Sequence, residues 1–120
     1  MAEKLVILVT HGPEDPEMAT IPFVMATAAQ ASSVEVVMAF QSDGVWLMMK
    51  EMVGRVHTAD FPPIQELLSA YMEEGGKLYI CGPCVKSRKI ALEDLVEGSL
   101  IVSAATLIGE ITSATSTLVY

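Results

Sequence analysis

Residues 77–90 read Lys77-Leu-Tyr-Ile-Cys81-Gly-Pro83-Cys84-Val-Lys86-Ser-Arg88-Lys89-Ile90. The first five residues suit a β-strand, and the Gly-Pro step at once begins a helix, because a proline at the first helical position gives up an N–H that would go unused. A strand passing directly into a helix is the joint of a βαβ unit. Upstream, Ile64, Leu67, Leu68, Tyr71 and Met72 form an amphipathic stripe between Pro62-Pro63 and Gly75-Gly76, with Glu66, Glu73 and Glu74 outside it. Earlier still, Lys4–Thr10 is a continuous β-branched run, the pattern of a strand buried on both faces. After the turn at residues 11–16 a nearly all-apolar stretch reaches Ala31, predicting a helix with Thr20 as N-cap and Pro22 near its start. Val34–Phe40 reads as a second strand, and Val45–Val53 as a short helix capped by Asp43. Beyond the opening stretch, a helix from Pro83 to Leu92, a strand Leu100–Ser103, a helix Ala104–Ala114 and a strand Ser116–Tyr120 are expected. This alternation predicts an α/β fold, a three-layer α/β/α sandwich with a five-stranded, mostly parallel sheet, in a single domain spanning residues 1–120.

Composition narrows the partners. The 120 residues carry 15 acids against 7 bases, a formal charge of −8, and 52% are hydrophobic. Such hydrophobicity is incompatible with intrinsic disorder. Nucleic acid and anionic membrane surfaces are excluded as partners, because both require a basic face. Mean hydropathy is +0.47. The longest uncharged run, Met18–Val34, is broken by Pro22 and diluted with Thr, Ser and Gln, so no membrane segment is expected. The first residues lack the pattern of a signal peptide. The expectation is a cytoplasmic protein that covers apolar surface in a homo-oligomer. Two cysteines are too few for a disulfide scaffold.

In open parallel sheets the functional cleft lies beyond the carboxyl ends of the strands. That directs attention to His11, Gln41–Gly44, Cys81–Cys84 and the turn after Val102. A thiolate at Cys81 would meet the free N–H groups of the following helix, which is how proteins depress a cysteine pKa. Three of the seven cations, Lys86, Arg88 and Lys89, fall within four residues. Lys86 or Arg88 is a candidate positioning group, the other account being a solvated basic face. Cys84 stands either as a second reacting thiol or as a small apolar residue in the first helical turn. His11 is a candidate hydrogen-bond donor or base, or simply stabilises its turn. His11 and His57 do not have the paired spacing of zinc modules, so no metal is assigned. Met48, Met49 and Met52, near Trp46, suit core or subunit contacts better than copper. No Gly-rich nucleotide fingerprint occurs, and no cofactor is expected.

Cys-Gly-Pro-Cys is also the active-site tetrapeptide of thioredoxins. Those proteins place it early in the chain and use a later cis-proline, whereas no proline follows Pro83 here. The match is local. Over nearly the full length the sequence resembles the DsrE/DsrF-like family, which includes TusD-type sulfur-relay subunits. The resemblance rests on Thr10-His11-Gly12-Pro13 after the first strand, the Ala-rich first helix, and Val34–Phe40 running into Asp43-Gly44-Val45. It continues in Cys81-Gly82-x-Cys84 with Arg88 and Ile90, and in Asp94-Leu95-x-Glu97-Gly98. Lys89 departs from it, since many members carry Gly there. The resemblance implies a small α/β/α sandwich assembling into dimers, trimers or hexamers, with a cysteine at the Cys81 position carrying sulfur as a persulfide. Gly82, Asp43 and Arg88 would support that site. The expected function is a sulfur carrier or sulfurtransferase working between donor and acceptor proteins or small persulfides. The alternatives are a dithiol/disulfide redox protein using Cys81 and Cys84, or a non-catalytic oligomeric binding domain.

Overall fold

Five strands pair side by side in a computed structural model that describes residues 3–120. They are β1 (Lys4–Val9), β2 (Glu35–Phe40), β3 (Lys77–Cys81), β4 (Ser99–Val102) and β5 (Ser116–Val119). Their order across the sheet is β4-β3-β2-β1-β5, and all four pairings are parallel. The three central strands have the apolar composition that burial on both faces requires, and five of the six residues of β2 are buried. Both edge strands are largely exposed.

The helices are α1 (Pro16–Ala31), α2 (Lys50–Val53), α3 (Ile64–Glu73), α4 (Gly82–Ser87) and α5 (Ala104–Thr112). α1, α3 and α4 share one core with the sheet, in which Phe23, Phe40, Ile64 and Tyr71 are fully buried. Phe23 and Phe40 meet with ring centroids 5.9 Å apart. α5 lies against the opposite face, where Leu107 packs with Val6, Val37 and Ala39. The reason is topological. The chain steps from β1 to β4 in one direction and then returns past the whole sheet to place β5 beside β1. A crossover of constant hand that reverses direction must put its helix on the other side.

Several local expectations are corrected. α1 begins at Pro16 and is capped by Asp15, whose carboxylate accepts the Met18 N–H at 3.2 Å. Thr20 is therefore inside the helix, where its hydroxyl donates to the Pro16 carbonyl at 2.6 Å. Pro22 is also interior and leaves the Met18 carbonyl without its helical donor. The expected helix 45–53 is instead a 3-10 helix, Ser42–Met48, followed by the short α2. Met49 is extended between them and bridges to Leu95. Asp43 does not cap this segment; its carboxylate turns to Arg88. The helix expected to reach Leu92 stops at Ser87. There the Ile90 N–H bonds back to the Val85 carbonyl and Lys89 N–H to Lys86, closing a Schellman motif around a left-handed Lys89 (φ 56°).

Candidate active site

The connections after β3 and β4 leave toward opposite faces of the sheet, so their first residues separate and open a cleft at the carboxyl ends of these two strands. Cys81 and Pro83 form one side, Val102, Ser103 and Ala104 the other, and Leu107 lies on the wall. The cavity measures about 130 Å³.

Cys81 ends β3 and caps α4. Its Sγ accepts the Cys84 N–H at 3.4 Å, and the side chain is partly exposed. Cys84, one turn on, is also partly exposed, and its Sγ accepts the backbone N–H of Ser42 at 3.3 Å. Both thiols are free. Ser42 has a left-handed backbone (φ 51°). The tight approach of this loop to its neighbour depends on glycine. A Cβ on Gly44 would overlap the Val9 carbonyl, and one on Gly12 would overlap the Asp43 carbonyl.

Burial pushes the Cys81 thiol above its ordinary range, and the neighbouring Cys84 thiol acts in the same direction. The Cys84 amide and the Arg88 charge pull the other way without prevailing. The depressed pKa expected at a helix N-terminus is thus corrected. The helix has only six residues, one amide aligns with the sulfur, and the cleft wall is apolar. Arg88 is held by Asp43, with Nη2 and Nε donating to Oδ1 at 3.1 and 3.3 Å, and its Nη1 donates to the Cys84 carbonyl at 3.2 Å. This ties the loop after β2 to the turn after β3.

Gly82 packs against the Ile101 side chain of β4. Lys86 is exposed on the outer surface of α4. His11 does not line the Cys81 cleft, and its Nδ1 is buried without a hydrogen-bond partner among the described residues. His57 instead contacts the Phe61 carbonyl. Among the described residues no three His, Cys, Asp or Glu side chains gather as metal ligands. Sequence reasoning misses Ser42 as a partner of Cys84, because it acts through its backbone and no side-chain pattern announces it.

A parallel α/β/α sandwich with a cysteine pair at the strand ends is the class these features define. Residues 3–120 match the model of the DsrE/DsrF-like family, and the chain belongs to that family. The chain is 30% identical over 105 residues to the uncharacterized protein MJ0989 of Methanocaldococcus jannaschii, covering 88% of this chain and 89% of that protein. It is 31% identical over 94 residues to the uncharacterized protein MK0008 of Methanopyrus kandleri, covering 78% and 74%. The fold is similar to that of the ychN protein from E. coli, with a TM-score of 0.83 and 21% identity over 98% of this chain and 99% of that one. A protein of unknown function from Methanobacterium thermoautotrophicum, MTH1491, superposes with a TM-score of 0.77 and 16% identity over the same shares.

Proposed function

We propose that this protein is a sulfur carrier that accepts sulfane sulfur as a persulfide on Cys81 and passes it on. One observation carries the reading: in a member of the DsrE/DsrF-like family, the Cys81 sulfur stands free at the strand end and borders an open cleft. In the loading step Cys81 Sγ attacks the outer sulfur of a donor R–S–SH. The new Sγ–S bond forms, the donor S–S bond breaks, and the donor leaves as R–SH with the proton given up by Cys81. Transfer to an acceptor thiol is the same exchange in reverse. Exposure to a persulfide donor is expected to add about 32 Da, one sulfur, to the intact protein, and Cys81→Ser to abolish the gain. Full loading of Cys81→Ser would defeat the proposal.

A dithiol/disulfide role is the second reading, favoured by two free, partly exposed thiols one helical turn apart, with the Cys84 N–H donating to Cys81 Sγ. Attack of Cys84 on a Cys81 persulfide would form the Cys81–Cys84 disulfide and release hydrogen sulfide. A reversible disulfide with a potential in the range of redox proteins supports this role.

We also propose that the protein assembles with copies of itself. Leu100 and Ile101 on edge strand β4 and Ile108 on α5 remain exposed, with Leu100 at 60%. A reducing cytoplasm suits two unpaired thiols. Among the described residues no helix is long and apolar enough to cross a membrane.

A further inference from the structure

The cleft beside Cys81 has a size and a wall chemistry that bear on what the donor can be. Its volume, about 130 Å³, is close to the roughly 150 Å³ of an engineered apolar cavity that takes up benzene. No charged side chain lines it among the described residues. Two of its polar side chains are engaged elsewhere. The Tyr79 hydroxyl donates to Glu110 at 2.7 Å, and Ser103 Oγ accepts the Thr106 N–H at 3.3 Å. Arg88, the cation whose charge acts on Cys81, is committed to Asp43 and the Cys84 carbonyl. An anion entering this space would lose hydration without gaining a countercharge, whereas a hydrocarbon chain would gain from leaving water.

We propose that this cavity binds the organic part of the sulfur donor, an uncharged alkyl group of about four to six non-hydrogen atoms. The preferred donor is then a small alkyl hydropersulfide, and anionic sulfane compounds such as thiosulfate are poor ones. The inference rests on the sulfur-carrier reading and names the substrate class for the same site. With the alkyl group in the cavity, the outer sulfur of R–S–SH is presented to Cys81 Sγ. The alkanethiol R–SH that leaves has its chain in the same apolar space.

The test is the rate of one-sulfur gain at Cys81, followed by intact mass, with methyl, ethyl, propyl and butyl hydropersulfides and with thiosulfate. Loading at limiting donor is expected to rise about fourfold per added methylene, the fold-change of burying one methylene group, with thiosulfate slowest. Ala104→Leu, at an exposed position on the cavity rim, is expected to shrink the ratio of butyl to methyl loading to less than about fourfold. That ratio is taken within one variant, so a change in folded fraction cancels. Loading that ignores chain length, or thiosulfate matching the butyl donor, overturns the cavity assignment while leaving the carrier reading intact. Loading from no donor overturns the carrier reading itself.

Discussion

On one face of the sheet α1, α3 and α4 bury Phe23, Phe40, Ile64 and Tyr71 completely, whereas on the other α5 alone meets Val6, Val37 and Ala39 through Leu107. The thin face supplements its small apolar contact with charge. Glu110 of α5 accepts from Lys4 Nζ of β1 at 2.5 Å and from the Tyr79 hydroxyl of β3 at 2.7 Å. Lys4 and Glu110 side chains are only 15% and 14% exposed, so the pair is shielded from solvent. The thick face therefore holds the sheet, while the thin face fastens one helix by its far end. The near end of α5 is left to frame the Cys81 cleft.

The largest expected effect tests this division directly. Phe23→Ala should cost about 3–5 kcal/mol, and Leu107→Ala about 2 kcal/mol because that site borders solvent and can collapse. Urea unfolding of both variants measures the contrast, and equal losses would make the faces energetically equivalent.

Glu110→Gln should cost about 1–3 kcal/mol at neutral pH. Hydrogen bonds from Lys4 and Tyr79 hold the Glu110 carboxyl below its usual range. Its contribution is therefore complete above the ordinary carboxylate pKa and is lost as pH falls through the lowered folded value. Wild type and Glu110→Gln are expected to converge in stability on acidification. A constant gap across that window would remove the charged tether from the account.

At the seam between the faces, alkylation of Cys81 should have its pH midpoint above that of an ordinary cysteine. Arg88→Ala removes a charge that lowers this pKa, so alkylation at neutral pH should slow by about two- to fivefold. Cys84→Ala should move the midpoint down, since the neighbouring Cys84 thiol favours the protonated form of Cys81. Iodoacetamide rates against pH decide both, and an unmoved midpoint in either variant breaks that part of the picture.

The smallest effect concerns the end of α4. Lys89→Gly relieves a left-handed lysine at the price of a looser unfolded chain, for a net gain of about 0.5 kcal/mol in chemical denaturation. A loss on substitution would show that the lysine side chain contributes more than its backbone strain costs.

Strand positions and the cysteine cleft are legible in the sequence because they depend on local patterns. KLVILVT can be little other than a buried strand, and Cys81-Gly82-Pro83 marks a strand-to-helix joint in any context. The start of α1 is not legible in the same way: Pro22 has the look of a helix opener, although packing of Phe23 and Ala26 carries the helix through it. The segment 42–53 misleads for a related reason: Asp43 has the chemistry of a cap, but Arg88, 45 residues on, takes its carboxylate.

Hydrophobic patterning, turn residues and the βαβ order lie in the chain itself, and they are enough to specify a parallel sandwich and the sheet end where a site would lie. The protonation preference of Cys81, the Ser42 amide on Cys84, the isolation of His11 from the cleft and the size of the cavity were decided only in three dimensions. Each of these depends on how much water is excluded and which distant backbone group arrives, and desolvation and long-range contact leave no periodic trace along a sequence.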